Sequence, residues 1–410
     1  MPRPARDPTT QAPDGTGPTD RRAPSGTPLY VHLPFCAAKC TYCDFFSVAS
    51  EGQDLAGMVE AILIEACVRA PQSPRTVFLG GGTPSLLPRP LLARLLDGLQ
   101  EQTGFRETAV EVTAECNPES LDLSKARCLL DLGVGRLSIG FQSLHDGVLQ
   151  ILGRVHRAED SFRAYQAARQ AGVADVNVDL IYALPGQELA AWRGDLERVL
   201  ALRPDHVAAY NLAFEEQTPF HRWLSQGRLA RLSEERELEF FWATRERLSV
   251  AGLDPYEISN FSLYGHQCRH NINYWENGDY VGLGPSAVSF YAGERRGNVR
   301  SVGEYLQRLG SDTSAAAWRE SLGVRQRLGE TWWLGLRTSR GVDPAQARRR
   351  AGFSASEPDP ALEVAEALIE RGLLEWNQGH VRLTPQGLPV ADAVASEFLG
   401  RVRPAQTPAG

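Results

Sequence analysis

The sequence has few lysines, and none of its apolar runs approaches the roughly 20 residues that a membrane-spanning helix needs. Lys39 and Lys125 are the only lysines among 43 basic residues, a bias that coding composition explains. The net charge of −7 argues against a general surface for nucleic acid or anionic membranes. We therefore expect no membrane span and no nucleic-acid partner.

A disulfide framework is also missing from the pattern of cysteines. The chain has seven, an odd number, and three of them crowd into one short stretch while the others are scattered. We therefore expect a reducing compartment and a cytoplasmic location. Residues 1–27 are rich in proline, threonine, glycine, aspartate and arginine and lack the apolar block of a signal peptide, which predicts a disordered leader.

Short apolar runs alternate with amphipathic segments between residues 28 and 261, the pattern of repeated strand–helix units. Neighbouring parallel strands are joined by long crossover segments, usually helices, so repeated strand–helix units predict a parallel sheet covered by helices. Six or seven units suit an incomplete barrel better than a closed one, and we predict an α/β fold, a partial (β/α)6 TIM-type barrel. The predicted strands are Leu29–Leu33, Thr76–Leu79, Val110–Ala114, Arg136–Ile139, Val176–Ile181, His206–Leu212 and Pro255–Ile258. The predicted helices include Leu55–Arg69, Pro90–Gln102, Ala158–Gln170 and Glu234–Ala251.

Three cysteines, Cys36, Cys40 and Cys43, follow the first predicted strand within eight residues. Thiolates held this closely repel one another unless a cation neutralises them, so a metal or cluster is the natural occupant. Three sulfurs are one too few for a closed zinc site or a fully ligated cubane, and no further ligand follows at finger-like spacing. The motif predicts a cluster with one open iron; a zinc-stabilised interaction protein is the alternative.

Polar and glycine-rich motifs lie at or after the carboxyl ends of the next four predicted strands, where ligands collect in such barrels. Glycines let a backbone approach a ligand closely, and carboxylates can accept hydrogen bonds from ribose hydroxyls or an amine. Each motif alone is weak evidence for a ligand site. The evidence is stronger because all of them follow the cysteine motif in order along the chain. The motifs are Gly80-Gly81-Gly82-Thr83-Pro84, Glu115-Cys116-Asn117-Pro118, Gly140-Phe141-Gln142-Ser143 with Gly153-Arg154-Val155-His156, and Asn177-Val178-Asp179-Leu180.

The cysteine spacing resembles the radical S-adenosylmethionine superfamily, in which three cysteines hold a 4Fe-4S cluster and the cosubstrate chelates the fourth iron. The resemblance implies that Cys36, Cys40 and Cys43 are the ligands and that Tyr42 lies beside the adenine. It also implies electron transfer from the reduced cluster into the sulfonium, which breaks a carbon–sulfur bond.

The downstream motifs are similar to those of the oxygen-independent coproporphyrinogen III oxidase group. Carried over by position, this resemblance implies ten further contacts to S-adenosylmethionine. For Glu115 and Arg154 the alternative is a salt bridge at the rim without a ligand, and for Asp179 it is a helix N-cap. The ten residues are Tyr30, Gly81, Gly82, Thr83, Glu115, Gln142, Arg154, Asp179, Ala213 and Val288.

Two differences from the pattern of the decarboxylating enzyme, coproporphyrinogen III oxidase, point to the haem chaperone branch of this family. Phe45 stands where the decarboxylating enzyme carries a further cysteine, and the leader is short. The branch also has a histidine–asparagine pair followed two residues later by tyrosine–tryptophan, found here as His270-Asn271-Ile272-Asn273-Tyr274-Trp275. The resemblance implies a chaperone that passes haem to an acceptor protein and receives electrons from a flavodoxin- or ferredoxin-type donor. Oxidative decarboxylation of coproporphyrinogen III is the alternative.

Haem needs a soft or imidazole donor beside flat apolar surface, and His270 next to Tyr274 and Trp275 supplies this combination. His266 and Cys268 are alternative donors. The simpler interpretation of His270 is a buried histidine that hydrogen-bonds its loop onto the barrel mouth.

The alternation of strands and helices ends at about Val302. The residues that follow predict three helices and a hairpin, which together indicate a small winged-helix-like α+β module. We expect it to dock a partner or substrate. The predicted domains are a leader at 1–27, the barrel at 28–261, a connecting segment at 262–325 and this module at 326–400. The elements predicted for it are helices Glu330–Arg337, Pro344–Ala351 and Ala361–Arg371 and strands Leu373–Trp376 and His380–Leu383.

Overall fold

The computed structural model describes residues 21–354 and 357–401. Strands and helices alternate through the first two thirds of the chain, and helices dominate its last part. The strands are β1 Leu29–Leu33, β2 Phe35–Cys36, β3 Val48–Ala49, β4 Thr76–Gly81, β5 Glu111–Cys116, β6 Arg136–Gln142, β7 Asp175–Tyr182, β8 His206–Asn211, β9 Asp254–Pro255, β10 Asn260–Ser262, β11 Val281–Leu283, β12 Val288–Tyr291, β13 Glu294–Asn298, β14 Ala316–Ser321, β15 Leu374–Asn377 and β16 His380–Leu383. The helices are α1 Leu55–Arg69, α2 Arg89–Thr103, α3 Phe105–Thr108, α4 Leu123–Asp131, α5 Asp146–Ile151, α6 Ala158–Ala171, α7 Leu189–Leu200, α8 Pro219–Ser225, α9 Glu234–Val250, α10 Arg269–Trp275, α11 Val302–Gly310, α12 Val324–Gly335, α13 Pro344–Ala351, α14 Pro360–Glu370 and α15 Ala391–Arg401.

The largest sheet has nine strands in the order β11-β1-β4-β5-β6-β7-β8-β10-β9. Its first seven strands run parallel, and β10 and β9 add an antiparallel edge. In the described residues β11 and β9 do not pair, so the sheet curls without closing. The predicted partial barrel of six strand–helix units is confirmed, and β11 from the connecting segment extends its parallel part.

The strands are buried on both faces because helices cover the outside and side chains fill the interior. In β1, Leu29, Val31 and Leu33 are almost fully buried in the main hydrophobic core. Tyr30 and His32 alternate with them and therefore face the barrel interior. The predicted bounds of β1 and α1 are confirmed because both segments carry a clear local pattern.

A three-stranded antiparallel sheet, β12-β13-β14, was not predicted and lies beyond the β11 edge. It is tied to α1 through the buried carboxylate of Glu65. That carboxylate accepts hydrogen bonds from Arg69 at 2.5 Å, from Asn298 at 2.9 Å and from the hydroxyl of Tyr305 at 2.7 Å. Burial would raise the pKa of Glu65, but Arg69 and Arg296 outweigh it and lower the pKa.

The last part of the chain has its own hydrophobic core, in which the rings of Trp332 and Phe398 stack 4.9 Å apart. The hairpin of β15 and β16 is confirmed, and its turn uses positive φ angles at Gln378 and Gly379, which suit a tight hairpin. The first helix begins at Val324, earlier than predicted, and the side-chain oxygen of Gln326 accepts a hydrogen bond from the amide of Gly323 at 2.8 Å. The final helix, α15, was not predicted.

Most of the predicted disordered leader lies outside the described residues. Its described end is folded onto the barrel: Arg22 donates to the carbonyl oxygens of Cys67 and Gln102, and Ala23 is buried. Among the described helices, none is both long and apolar enough to cross a membrane.

Candidate functional site

The cysteine motif forms a loop at the carboxyl edge of the parallel sheet and is anchored from several sides. The amide of Thr83 donates to the carbonyl of Phe35 at 2.7 Å, just before the first cysteine. The hydroxyl of Thr41 donates to the carbonyl of Ile151 at 2.8 Å, and the carbonyl of Thr41 accepts from the amide of Phe220 at 3.0 Å. The loop is therefore held by β1, by the segment after β4, by α5 and by α8.

All three cysteine side chains are half-buried free thiols. Burial raises the pKa of Cys43 to about 11, and the neighbouring thiols Cys40 and Cys36 raise it further. Burial also raises the pKa of Cys36. The thiols therefore need a cation to become thiolates, and a metal or cluster would supply it.

A chain of hydrogen bonds joins two of these thiols through three neighbouring loops. Thr83 Oγ1 donates to Cys36 Sγ at 3.5 Å and accepts from Asn117 Nδ2 at 2.8 Å. Asn117 Oδ1 accepts from Arg154 Nη2 at 2.6 Å, and Arg154 Nη1 lies 3.6 Å from Cys40 Sγ. Asn117 belongs to one of the predicted motifs, but no role was predicted for its side chain. In the structure it is the link between the glycine loop and the arginine.

The glycine loop after β4 lies against the start of the cysteine loop. A Cβ added to Gly82 would meet the backbone of Phe35 at 2.6 to 2.8 Å, so no larger residue fits there. Gly81 has a φ of 106°, which favours glycine, and its amide donates to Glu115 Oε2 at 3.0 Å. The loop thus presents backbone to the space between the cysteines and the strand ends.

Two carboxylates face the barrel interior near the glycine loop. Burial raises the pKa of Glu115 to about 7, and the charge of Asp179 adds to the effect. Burial also raises the pKa of Asp179, which accepts from Asn177 at 2.7 Å and from Ser138 at 3.1 Å. Asp179 lies inside β7, so its N-cap interpretation is wrong. Arg136 lowers the pKa of both acids, but within residues 21–354 and 357–401 neither forms an ion pair, so the two suit a positively charged ligand.

Arg154 does not form the alternative rim salt bridge with Glu115. Its Nη2 donates to the side chain of Asn117 and to the carbonyl of Gly140 at 3.0 Å, and no ion pair of Arg154 occurs in residues 21–354 and 357–401. A Cβ on Gly140 would approach Arg154 Nη2 to 3.3 Å and Gln142 Nε2 to 2.8 Å. The glycine therefore makes room for these two polar side chains at the end of β6.

The other predicted contacts to S-adenosylmethionine are more widely dispersed. The hydroxyl of Tyr30 lies 2.9 Å from Nδ1 of His32, and Tyr42 packs edge-on against Phe220 with ring centroids 6.5 Å apart. Gln142 has a φ of 65° at an irregularity of the sheet. Ala213 is exposed directly after β8, and Val288 is half-buried at the start of β12, in the second sheet.

His32 is a site residue that sequence reasoning missed, since no spacing rule marks it. Its Nε2 donates to the carbonyl of Phe46 at 2.9 Å, three residues after the last cysteine of the motif. Its Nδ1 must then accept from Tyr30. Burial lowers the pKa of His32 to about 4, so the ring is neutral. His32 joins the end of the cysteine loop to the barrel interior.

The structure does not place His270 where it could ligate haem. The side chain is fully buried, with Nδ1 2.7 Å from the hydroxyl of Thr76 and Nε2 2.9 Å from that of Tyr274. Thr76 is the first residue of β4, so His270 lies at the amino ends of the strands, opposite the cysteine loop. Its ring stacks on Phe78 with centroids 5.2 Å apart. These contacts fit the simpler interpretation, in which His270 is a buried structural histidine. It lies, however, at the amino end of the barrel and not at the mouth, where that interpretation placed it.

The alternative donors near His270 are also engaged. Cys268 is buried, and Sγ lies 3.5 Å from a carboxylate oxygen of Glu111, the first residue of β5. His266 Nδ1 lies 3.3 Å from Asp175 Oδ2. Helix α10 therefore closes the amino end of the barrel, and Arg350 of the C-terminal part forms an ion pair with Glu276 just after it.

Comparison with known proteins agrees with this geometry. The profile of the Radical SAM superfamily matches residues 30–199, and that of the HemN C-terminal domain matches residues 324–390. Heme chaperone HemW of Bacillus subtilis is 31% identical over 377 residues, which cover 91% of this chain and 99% of that protein. Heme chaperone HemW of Synechocystis is 37% identical over 330 residues, which cover 78% of this chain and 80% of that protein.

The chain belongs to the HemW family of radical SAM proteins. The fold agrees: the structure of coproporphyrinogen III oxidase HemN from Escherichia coli superimposes with a TM-score of 0.78 at 23% identity, covering 93% of this chain and 91% of that one. Membership of the radical SAM superfamily implies a 4Fe-4S cluster and S-adenosylmethionine. The residues of this chain fit both groups, since three half-buried free thiols, the glycine loop and two buried acids lie at the carboxyl edge of the sheet.

Proposed function

We propose that this chain is a haem chaperone that binds haem and passes it to an acceptor protein. The observation that carries the proposal is the similarity to proteins named heme chaperones at 31% and 37% identity over most of the chain. The acceptor and the electron donor, of flavodoxin or ferredoxin type, belong to the proposal. A cytoplasmic location also belongs to the proposal, since free cysteines stay reduced in that compartment.

In this proposal Cys36, Cys40 and Cys43 would hold the cluster. When bound and reduced, it would supply an electron to the sulfonium of S-adenosylmethionine. The hydrogen bonds of Thr83 and Arg154 to two of the sulfurs fix the orientation of the cysteine loop. Both hydrogen bonds also stabilise negative charge on those sulfurs.

The cosubstrate would lie between the cysteine loop and the strand ends. Gly81, Gly82 and Thr83 offer backbone groups to its amino-acid part, while Glu115 and Asp179 offer carboxylates to the amine or ribose hydroxyls. The remaining contacts in this proposal are Tyr30, Tyr42, Gln142, Arg154, Ala213 and Val288, and Val288 lies in the second sheet.

The test is to reconstitute the cluster without oxygen and to titrate haem and coproporphyrinogen III separately. The chaperone proposal expects stoichiometric haem binding with a shifted Soret band and no protoporphyrinogen. Formation of protoporphyrinogen would favour the decarboxylating enzyme, the alternative activity. Anaerobically purified protein that carries zinc and no iron would favour an interaction protein and contradict both.

A further inference from the structure

Four polar side chains form one layer across the interior of the barrel. The strand pairing sets Ser138 of β6 between Glu115 of β5 and Asn177 of β7. On the next strand, β8, His206 lies beside Asn177. The neighbours of these residues along each strand belong to the main hydrophobic core, so the four face the barrel interior. Bulky apolar side chains usually fill such layers, and a buried polar layer needs internal hydrogen bonds instead.

The hydrogen bonds of this layer lead to Asp179, which lies two residues after Asn177 on β7. A carboxylate only accepts, so Asn177 must face it with Nδ2, at 2.7 Å from Asp179 Oδ1. The same Nδ2 donates to Ser138 Oγ at 2.6 Å, and that hydroxyl donates to Asp179 Oδ2 at 3.1 Å. Asn177 Oδ1 therefore faces His206, and Nδ1 of the imidazole donates to it at 2.6 Å.

The other nitrogen of His206 is fixed as well. Burial lowers the pKa of His206 well below its usual value, and the charge of Arg136 lowers it further, so the ring is neutral. Because Nδ1 carries the proton, Nε2 must accept, and the hydroxyl of Tyr256 donates to it at 2.8 Å. The tyrosine oxygen in turn accepts from the amide of Cys268 at 3.4 Å. A backbone amide at the amino end of the barrel thus begins a chain of hydrogen bonds that ends at Asp179.

This chain leaves the amide of Asn177 a single orientation. If the amide turned over, its oxygen would face Asp179, and two acceptors would meet in a buried site where an unpaired polar group is costly. The donor on His206 prevents this, because it requires the amide oxygen on its own side. Asp179 therefore receives a donor on each of its oxygens, which fixes the plane of its carboxylate.

We propose that His206 is a positioning residue for S-adenosylmethionine. Through Asn177 it holds Asp179 in the orientation in which that carboxylate accepts from the ribose hydroxyls or the amine of the cosubstrate. Tyr256 contributes by fixing the tautomer of the imidazole. The inference rests on the proposed function, in which Asp179 contacts the cosubstrate, and adds to it residues that act through this carboxylate.

The experiment is anaerobic calorimetric titration of the full chain, with its cluster reconstituted, with S-adenosylmethionine. His206→Leu keeps a side chain of similar size without a donor, and we expect it to weaken binding about tenfold, since a hydrogen bond that orients a charged group is lost. His206→Asn places an amide N–H near the position of Nδ1 and should restore most of the affinity. Iron and sulfide content should be the same in wild type and both variants.

A double-mutant cycle separates positioning from a general structural effect. If His206 acts through Asp179, His206→Leu should change the affinity by less than about twofold in an Asp179→Ala background. An equal loss in both backgrounds, or wild-type affinity of His206→Leu, would overturn the inference and leave the haem chaperone proposal intact. Haem titration of the same preparation tests that proposal separately.

Tyr256→Phe tests the same chain of hydrogen bonds without altering the imidazole. The phenyl ring can still pack against His206, since the two rings lie 5.5 Å apart, and only the hydroxyl is lost. We expect binding of S-adenosylmethionine to weaken about threefold. Tyr305→Phe is the matched control, because its buried hydroxyl donates to Glu65 of α1, and it should bind as wild type does. Equal affinities of the two tyrosine variants would overturn the inference. Wild type that does not bind S-adenosylmethionine would overturn both the inference and the proposed cosubstrate site.

Discussion

Arg154 and Cys40 are 114 residues apart in sequence, yet Nη1 of the guanidinium lies 3.6 Å from Sγ of the cysteine. The same guanidinium reaches the first cysteine of the motif indirectly, through Asn117 and Thr83. The cysteine motif and the downstream motifs are therefore parts of one hydrogen-bonded unit. Changes in a downstream motif should consequently alter the properties of the cluster.

Thr83→Val should lower the midpoint potential of the cluster, because the hydroxyl that stabilises negative charge on Cys36 Sγ is lost. It should also destabilise the chain by about 1–3 kcal/mol, since the amide of Asn117 loses its acceptor. Potentiometric titration and urea unfolding measure the two effects. Thr83→Ser keeps the hydroxyl and should resemble wild type; equal potentials for the Val and Ser variants would contradict the prediction.

Replacing Cys36, Cys40 or Cys43 with alanine should remove the cluster, because two remaining thiolates cannot hold it beside its open iron. The measurement is the iron and sulfide content and the visible absorption after anaerobic reconstitution. Cys67→Ala is the control, since that residue is exposed on the outer helix α1. Loss of the cluster in this control would show that the ligands were chosen wrongly.

Glu115→Gln should stabilise the cluster-free chain increasingly as the pH rises. The pKa of Glu115 is raised to about 7 in the folded chain, whereas an unfolded glutamate titrates near 4.3. Its contribution to stability is present below about pH 4 and is lost as the pH rises through about 7.

The gain from Glu115→Gln should therefore be near zero at about pH 4 and reach about 3 kcal/mol at about pH 8. Urea unfolding across this range measures it. A difference that stays constant with pH would show that burial does not perturb this carboxyl.

Glu65→Ala should destabilise the chain by about 3–5 kcal/mol, because Arg69 would remain buried without its carboxylate. Glu60→Ala on the same helix is the matched control. Its ion pair with Arg94 is about half exposed on both sides and should contribute less than about 1 kcal/mol. Denaturant unfolding measures the free energy of unfolding of both variants. Similar decreases in the two would contradict a structural role of the buried hydrogen bonds and ion pair of Glu65.

Local patterns explain which parts of the fold the sequence predicted. The apolar run Leu29–Leu33 and the helix Leu55–Arg69 have the predicted bounds because alternation and helical periodicity act over a few residues. The wing hairpin was predicted from the glycine at its turn. The three-stranded sheet β12-β13-β14 was missed because the contacts that join it to the barrel are distant in sequence: its Asn298 donates to Glu65, more than 200 residues earlier.

The sequence by itself determined the three-thiol motif, the order of the downstream motifs and the parallel strand–helix rhythm, since spacing and periodicity are properties of neighbouring residues. Only the tertiary structure decided which end of the barrel each histidine occupies. The contact between Thr76 and His270 spans 194 residues, and that between Thr41 and Phe220 joins α8 to the cysteine loop. Such contacts depend on how the sheet curls, and no local pattern records that curvature.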